Sequence, residues 1–475
     1  MVNTVCIVGG GPIGCALGVT LRRAGMNVHI YERYMDIRIV PTPGGRSINL
    51  VLTNRGLRLA ADLGIKRELL SSTVTVSGRM MHPQHGSAIF QPYGRSGECN
   101  YSIDRSLLNK FWLNVAERSG CQLHFDHALT SLDSSTGVMC FLHSDGSQST
   151  VSTTQFDVLF GSDGGGSVVR NCLSRAGAIQ SSESLLPAGY KEILFPVGAD
   201  DSPLLDPHSL HIWARDSHML MALANLDGSF TGTIFMDREG GDPQSHPSFA
   251  LCTQSRDTAE AFWNKFYPDA LELTEKADTI EGFVSSKVGI LGTVRCHPWH
   301  SRLGSGTQIC LIGDAAHAIV PFFGQGVNCG FEDVFVLKQL IASSKSLSEA
   351  VERFGVERKI DSDAIADLAL ENFDEMRSKV ADSNFLFRKK LDGFIMNAFP
   401  TKYRTRYTLV MYSENPYSVC KSFGEFLNEF LSLVIDKFNL CESSDLSDID
   451  LETLESLVDK HVTPRAAQLG VSFDF

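Results

Sequence analysis

The stretch that decides the fold is Val5-Cys6-Ile7-Val8-Gly9-Gly10-Gly11-Pro12-Ile13-Gly14, where a short apolar segment runs into a cluster of glycines. Residues 5–8 are predicted to form a buried strand, and a helical pattern follows over residues 13–24 and ends at Gly25. Residues 28–31 form a second apolar strand that closes at Glu32. This order of strand, helix and strand predicts a βαβ unit.

The three glycines of this stretch have the spacing of a dinucleotide-binding loop. Gly9, Gly11 and Gly14 make the pattern GxGxxG between a strand and a helix. Glycine permits the tight turn, the close approach of a pyrophosphate and the close packing of helix on strand. Glu32 stands where an acidic residue hydrogen-bonds a ribose hydroxyl. A glycine-rich turn beside a surface glutamate is the alternative, but the combination favours a bound adenine dinucleotide.

Composition narrows the class of protein. The chain has 475 residues, which is enough material for more than one domain. Its formal net charge of -13 repels the phosphate backbone of a nucleic acid. A nucleic-acid partner is therefore not expected. Its 12 cysteines stand singly, which is typical of reduced thiols in a cytosol-facing protein. Cys296, His297 and His300 lie close together but offer too few ligands for a structural zinc ion.

Neither a secretion signal nor a membrane span is predicted. The first 21 residues are uncharged, but they lack a basic start and are interrupted by glycines and Pro12. Elsewhere no uncharged stretch reaches the ~20 residues that span a bilayer. The apolar stretch of residues 426–440 is interrupted by charged residues, and its pattern is typical of an amphipathic helix. We expect a cytoplasmic protein.

Two later segments bear on which dinucleotide binds. Asp314 follows the apolar strand of residues 308–312, at the strand end where open α/β sheets bind ligands. Alternatively, Asp314 could serve as the N-cap of a helix. In the segment of residues 321–328, Gly324 and Gly326 let the backbone lie against a planar ring, and a helix begins there. A helix N-terminus aimed at a flavin would stabilise its reduced anion, whereas the alternative is a glycine loop beside two core phenylalanines.

The periodicity predicts an α/β fold. It predicts a Rossmann-type dinucleotide-binding domain that is discontinuous over residues 1–75, 101–185 and 286–345. Residues 53–70 read as one helix, and residues 107–118 as another. Antiparallel strands at residues 210–214, 218–224 and 230–236 predict a β-rich substrate domain over residues 76–100 and 186–285. Residues 346–475 are predicted to be a helical C-terminal region.

With these motifs in place, the chain closely resembles the kynurenine 3-monooxygenases, a family of class A flavoprotein hydroxylases. The resemblance covers roughly residues 1–415 and is carried by GRSINL at 45–50, by YSIDRSLLN at 101–109 and by GDAAHAIVPFFGQGVNCGFED at 313–333. It implies FAD as cofactor and NADPH as co-substrate, with L-kynurenine and O2 as the other small-molecule partners. It implies hydroxylation to 3-hydroxykynurenine through a flavin C4a-hydroperoxide.

The resemblance also implies roles for individual residues. The residues that it places on FAD are Glu32, Arg38, Arg105, Asp163, Asp314, Val327 and Asn328, in addition to Gly9, Gly11, Gly14 and Gly326, which the motifs themselves suggest. The residues that it places on the substrate are Arg79, Tyr93, Asn372 and Tyr407. The walls of the reaction chamber would be Phe322, Phe323, Gly324 and Gln325. No side chain is expected to act as a nucleophile, and His317 is expected to serve the fold.

Two of the substrate residues have some support from the sequence pattern itself. Asn372 falls in an apolar helical stripe that runs from Ile365 to Val380, where a buried amide needs a hydrogen-bond partner. That partner could be a ligand or a backbone carbonyl. Arg79 has no acidic residue nearby in sequence, which suits a carboxylate ligand, although a solvated surface arginine is the commoner explanation. Tyr407 could likewise be a core aromatic.

The alternatives differ in class. A related hydroxylase would act on a phenol or benzoate, and a flavin-binding regulatory protein would not turn over at all. An FAD halogenase would carry a WxWxIP-like segment, which this sequence lacks. Animal members of the family have an apolar anchor for the mitochondrial outer membrane, so the resemblance leaves association with that membrane open. The tail here is acidic instead, and either docking on a partner or packing on the core would explain it.

Overall fold

The architecture is taken from a computed structural model, which describes residues 2–40, 48–378 and 382–473, with residues 376–378 described by their backbone only. Residues 45–47 of the GRSINL segment lie outside the described residues, as does Val380 of the predicted stripe. In chain order, strands β1 to β19 of the described part are Thr4–Val8, Asn27–Tyr31, Asn49–Leu52, Val74–Val76, Gly78–Met81, Ile89–Pro92, Asn100–Asp104, Gln122–His124, Ala128–Leu132, Val138–Leu142, Gln148–Ser152, Val158–Gly161, Gln180–Phe195, Ser209–Arg215, His218–Ala224, Phe230–Asp237, Gly289–His297, His300–Arg302 and Gln308–Leu311.

The helices account for most of the C-terminal third. In chain order, α1 to α17 of the described part are Pro12–Arg23, Asn54–Asp62, Lys66–Leu70, Arg105–Arg118, Val168–Arg175, Phe249–Cys252, Arg256–Phe266, Pro268–Glu272, Lys276–Ser285, Asp314–His317, Gly326–Ser343, Leu347–Ser378, Ser383–Ala398, Arg406–Tyr412, Tyr417–Phe438, Leu451–Leu457 and Thr463–Leu469. None of the helices in the described ranges is long and apolar enough to cross a membrane.

A sheet that is parallel apart from the β18–β19 pair forms the nucleotide-binding half. Its strand order is β18-β19-β12-β1-β2-β8, and β1 pairs in parallel with both β2 and β12. Cys6 and Ile7 at its centre are fully buried, as expected for a strand covered on both faces. The βαβ unit predicted from the opening residues is confirmed, with α1 joining β1 to β2.

A second sheet has the order β17-β13-β16-β15-β14-β5-β6 and is antiparallel apart from the β14–β5 pair. Along its strands, successive side chains point alternately into two hydrophobic cores, one on each face of the sheet. Met219 and Leu223 face the C-terminal helices, whereas Leu220 and Ala222 face the layer formed by α6 to α9. This alternation is the period-2 pattern of a sheet buried on both sides. Because β5 and β6 belong to this sheet, Arg79 on β5 lies in the same layer as the long hairpins.

Two predictions of secondary structure are wrong. The helix expected over residues 53–70 is two helices, α2 and α3, because Gly64 adopts a left-handed φ of 67° that ends the first. The β-rich stretch stops near residue 248, and α6 to α9 occupy residues 249–285. Ala259, Phe262, Trp263 and Phe266 already have helical spacing, and their burial on the sheet stabilises these short helices.

The acidic C-terminal tail packs against the core. Leu446, Leu454 and Val458 are buried in the same cluster as the C-terminal helices and Tyr93. The chain continues to Ser472, whose backbone N–H donates to Asn415 Oδ1 at 3.0 Å. Of the two explanations for the tail, the structure therefore shows packing.

Candidate active site

The glycine loop after β1 is open on the side where a pyrophosphate would lie. A Cβ on Gly14 would stand 2.0 Å from the Gly9 carbonyl oxygen, so only glycine lets α1 pack this close. A Cβ on Gly11, in contrast, would meet nothing within 4 Å. Gly11 caps α1 without a side-chain hydrogen bond, which leaves the first N–H groups of the helix for an anion. This geometry fits the pyrophosphate of FAD.

Glu32 closes β2 directly beside this loop. Its Oε2 accepts from the Gly10 N–H at 2.7 Å and its Oε1 from the Tyr34 N–H at 3.0 Å. The carboxylate is thus held at the edge of the glycine loop, at the position expected for a ribose contact. Arg38, a second residue expected on FAD, is engaged elsewhere. Its guanidinium pairs with Asp36 and with Glu117, each at 2.7 Å.

Asp163 and Arg170 connect the second nucleotide segment to the third. The Asp163 carboxylate accepts from the Val168 N–H at 2.7 Å and thereby stabilises the start of α5, while burial raises its pKa. Arg170 is fully buried and donates to the carbonyl oxygens of Gly165 at 2.6 Å and Ala315 at 3.1 Å. Two segments that lie far apart in sequence are therefore fixed against each other.

Asp314 stands at the end of β19 with an exposed side chain. Gly313, not Asp314, caps the following helix, and the cap makes no side-chain hydrogen bond. The N-cap explanation of this aspartate therefore does not apply. Gly313 has a φ of 62° and donates its N–H to Asp333 Oδ2 at 3.2 Å. Arg105, also expected on FAD, is exposed as the first residue of α4.

The segment expected to face the flavin ring is a short turn followed by α11. Gly324 has a φ of 64°, and Gly326 opens the helix, with the partly buried Val327 next. The Asn328 side chain accepts from the Thr53 N–H at 2.9 Å and donates to the carbonyl oxygens of Val51 and Gly324, both at 2.8 Å. Its amide is thus used to hold this turn against β3. Any contact of Asn328 with a flavin would come from its backbone.

Arg79 lies against two tyrosines that stack on each other. Its guanidinium carbon is 5.0 Å from the centre of the Tyr407 ring and 5.5 Å from that of Tyr93. The Arg79 Nε is buried without a hydrogen-bond partner, and no ion pair to Arg79 occurs among the described residues. Burial opposes the charge, but the phenol oxygens of Tyr407 and Tyr93 raise the pKa of Arg79, so the group is a cation. A carboxylate ligand suits this position.

Aromatic side chains close the space around this cation. Tyr407 stacks on Tyr93 with ring centres 5.7 Å apart and on Phe323 at 5.8 Å. Phe322 is buried against Phe373 at 4.5 Å and Phe235 at 5.2 Å. The structure therefore brings the expected substrate residues Arg79, Tyr93 and Tyr407 next to the expected chamber wall.

Asn372 joins the same region from α12. Its Nδ2 donates to the Phe322 carbonyl oxygen at 2.6 Å. Of the two partners that its position in the apolar stripe left open, the structure shows the backbone carbonyl. This bond ties α12 to the turn that carries Phe322 and Phe323.

Several residues around the site were not singled out from the sequence. Tyr412 is 1% exposed, and its hydroxyl has no hydrogen-bond partner within the described ranges. The buried Arg404 forms an ion pair with Glu98, which links the segment after Tyr93 to the segment before Tyr407. In sequence, Tyr412 has the spacing of an ordinary core residue, and the ion pair joins positions 306 residues apart. Neither leaves a local pattern.

Comparison with known proteins agrees with this geometry. The model of the FAD binding domain matches residues 3–354. A kynurenine 3-monooxygenase of Myxococcus xanthus is 37% identical over 464 residues, which cover 97% of this chain and 96% of that protein. One from Flavobacterium psychrophilum is 35% identical and covers 96% of this chain and 99% of its own.

Solved structures share the fold at low identity. The tetrameric form of 2-methyl-3-hydroxypyridine-5-carboxylic acid oxygenase superposes with a TM-score of 0.60 at 16% identity, over 80% of this chain and 94% of that one. A variant of Klebsiella pneumoniae HpxO complexed with FAD gives 0.56 at 16% identity, over 80% and 91%. With its FAD-binding domain and its full-length similarity to the curated relatives, the chain belongs to the kynurenine 3-monooxygenase family.

Proposed function

We propose that this protein hydroxylates L-kynurenine to 3-hydroxykynurenine with NADPH and O2, using bound FAD. The structural observation that carries the proposal is the Arg79 cation, which has no acidic partner among the described residues and lies against the stacked rings of Tyr93 and Tyr407 beside an aromatic chamber. Full-length relatives that are named kynurenine 3-monooxygenase support the choice of substrate.

The substrate has two ends that match this arrangement. Its amino-acid carboxylate would pair with Arg79 through the two parallel hydrogen bonds that a guanidinium offers. Tyr93, Tyr407 and Asn372 complete that end, and the aryl ring would extend toward Phe322 and Phe323. A plain benzoate carries its carboxylate directly on the ring and lacks the amino-acid chain that separates the two ends of kynurenine.

The chemistry places few demands on side chains. When bound, FAD would supply the two-electron chemistry by which NADPH and O2 put one oxygen atom on the ring and release the other as water. The aryl amine makes the neighbouring ring carbon electron-rich. The tasks of this chain are to hold that carbon in place and to exclude water, which the buried Phe322 and Phe323 do.

The flavin would extend from the glycine loop to the turn at Gly324. Its pyrophosphate would lie on Gly9, Gly11 and the start of α1, a ribose on Glu32, and the ribityl chain near the exposed Asp314. Arg38 and Arg105 remain assigned to FAD on the family resemblance alone. NADPH is assigned as a transient partner, since the sequence contains no second GxGxxG for it.

One experiment tests the proposed function directly. Purified protein is supplied with FAD, NADPH and O2, with and without L-kynurenine, and the product is identified by mass. We expect 3-hydroxykynurenine and faster NADPH oxidation when kynurenine is present. Stimulation by phenols or benzoates alone would indicate a different aromatic hydroxylase. A yellow protein that no aromatic compound stimulates would instead be a flavin-binding regulatory protein.

A cytoplasmic location is part of the proposal. It rests on the 12 scattered cysteines, which are typical of a reducing compartment. Fractionation of cells expressing the tagged protein would test it, and recovery in a membrane fraction would contradict it.

A further inference from the structure

A network of buried charges lies behind the turn of residues 321–326. Five side chains from residues that are at most 5% exposed form it, namely His317, Arg55, Glu332, Asp333 and Arg358. The Arg358 Nε donates to Asp333 Oδ1 at 2.9 Å, and its Nη2 lies 3.0 Å from Glu332 Oε2. Glu332 in turn pairs with Arg55.

This network is an ion-pair network and not a metal site. His317, Cys329 and Asp333 lie close enough together to suggest metal ligands. Asp333 Oδ2, however, is 2.6 Å from His317 Nε2 and also accepts from the Gly313 N–H. The Arg358 guanidinium lies 3.5 Å from Cys329 Sγ and already brings a cation to this cluster. A second cation there would be repelled.

The network reaches the chamber wall through one hydroxyl group. The Arg55 guanidinium carbon lies 4.0 Å from the centre of the Tyr417 ring, and Arg55 Nη2 donates to the Asn415 carbonyl oxygen at 2.6 Å. These contacts fix the start of α15. The fully buried Tyr417 then donates its O–H to Gln325 Oε1 at 2.8 Å.

Two contacts set the orientation of the Gln325 amide. Its Oε1 accepts from the Tyr417 O–H, and its Nε2 lies 3.1 Å from the sulfur of Met411, which can only accept. A thioether is a weak acceptor, so it holds the amide poorly by itself. Without the Tyr417 hydroxyl, the buried Gln325 carbonyl would lose the donor that the structure shows for it, and the amide would be free to turn.

We propose that Tyr417 is a positioning residue, whose hydroxyl, backed by Arg55 and Glu332, fixes the Gln325 amide and with it the wall of the reaction chamber. This inference rests on the proposed function, which makes the segment of residues 321–326 that wall. Tyr417 acts through Gln325 and needs no contact with substrate. Loss of the Tyr417 hydroxyl is expected to lower the amount of product formed per NADPH oxidised rather than the affinity for FAD.

The test compares two tyrosine-to-phenylalanine variants. Tyr417→Phe removes the hydroxyl and keeps the ring against Arg55. Tyr403→Phe is the matched control, because Tyr403 is also fully buried and donates a 2.6 Å hydrogen bond, but to Asp392 in a different part of the helical region. We expect the product formed per NADPH oxidised to fall about two- to tenfold in Tyr417→Phe and to stay unchanged in Tyr403→Phe.

A double variant shows whether Tyr417 acts through Gln325. In a Gln325→Met background the hydrogen bond between Tyr417 and Gln325 is already lost. Adding Tyr417→Phe should therefore lower the amount of product formed per NADPH oxidised no further. An equal ratio in wild type and Tyr417→Phe, or an undiminished effect in the Gln325→Met background, would overturn the inference.

A spectroscopic measurement separates this inference from the proposed function. The visible circular dichroism of bound FAD is recorded without substrate, and we expect it to change in Tyr417→Phe and not in Tyr403→Phe. If wild type fails to hydroxylate kynurenine, the proposed function is wrong and this spectrum still decides the inference. Identical spectra in all three proteins would then refute it.

Discussion

Arg79 is the residue whose surroundings say most about the ligand. A partly buried cation without a counter-ion is costly, and the groups that raise the pKa of Arg79 are the phenols of Tyr407 and Tyr93 rather than a carboxylate. An anionic ligand would therefore gain more from this arginine than from an exposed one.

Replacing Arg79 by alanine should weaken kynurenine binding. Loss of a charge-assisted pair costs about 1.5–3 kcal/mol, which corresponds to an about 10- to 150-fold weaker Kd. The Kd is measured by titrating the oxidised flavin spectrum with kynurenine. Arg118→Ala is the control, because Arg118 is half exposed and pairs with Glu68 at the surface.

The analogue of kynurenine that lacks the carboxylate sharpens this prediction. It should bind equally to wild type and to Arg79→Ala, because its missing group is the one that Arg79 holds. If the variant binds kynurenine as tightly as wild type does, Arg79 does not bind the carboxylate.

The two glycines of the loop should respond differently to alanine. Gly11 has an ordinary φ of -68° and open space around its missing Cβ, so Gly11→Ala should fold. The added methyl would occupy the pyrophosphate space and weaken FAD binding by about tenfold or more. Gly14→Ala would collide with the Gly9 backbone and should lower the thermal stability of the apoprotein as well. Calorimetry with and without FAD measures both effects.

Residue roles could be predicted from sequence only where a local motif exists. The glycine loop and Glu32 follow from spacing alone, and the structure places them together. The surroundings of Arg79 depend on Tyr407, which is distant in sequence, so no local pattern reveals that its cation is uncompensated. Similarly, the use of Asn328 as a brace for β3 follows from contacts that only the folded chain makes.

At the scale of elements, the junction of α10 and α11 is held by charge. Burial alone would lower the pKa of His317, but the Asp333 carboxylate raises it well above the ordinary 6.5. For Asp333, burial opposes ionisation, yet His317 and Arg358 hold its pKa below 3.8. Both pKa shifts indicate that His317 and Asp333 form a charged pair.

The contribution of His317 should therefore depend on pH in a defined direction. A raised pKa in the folded state gives stability that is complete below the unfolded pKa of 6.5 and is lost as the pH rises through the folded value. His317→Gln should lower Tm more at about pH 6 than at about pH 9. The exposed His85 provides the control, since His85→Gln should change Tm little at either pH. A deficit that is independent of pH would mean that His317 is neutral.

Elements with strong periodicity could be predicted, and those stabilised by tertiary contacts could not. The strands at β14, β15 and β16 follow from alternation and clear turns, and the structure confirms them. The small sheet of β9, β10 and β11 has no counterpart in the sequence predictions, because its strands are short and partly exposed. The helices α6 to α9 owe their stability to the sheet that they cover.

At the scale of the whole molecule, one apolar core joins three parts of the chain. Tyr93 from the β-rich half, Phe322 from the turn of residues 321–326 and Leu454 from the tail belong to the same cluster. The acidic tail therefore contributes to the stability of the site even though its charges face outward.

Two leucines on α16 test this role of the tail. Leu454 is fully buried, and Leu451, one turn earlier, is 50% exposed. Leu454→Ala should lower the free energy of unfolding by about 2–5 kcal/mol, because it leaves a cavity in this core. Leu451→Ala should change it by no more than about 0.5 kcal/mol. Equal effects in denaturant titrations would show that the tail is not part of the core.

The strand order of the parallel sheet has a consequence for how the protein is made. β1 lies between β2, its close neighbour in sequence, and β12, which in turn pairs with β19 at residues 308–311. A ribosome must therefore complete about two thirds of the chain before the flavin-binding sheet can close, and such distant pairings form slowly. FAD can stabilise the finished domain but cannot guide the first half of its synthesis. The nascent chain therefore passes through this open-edged stage without help from its cofactor, however much flavin the cell contains.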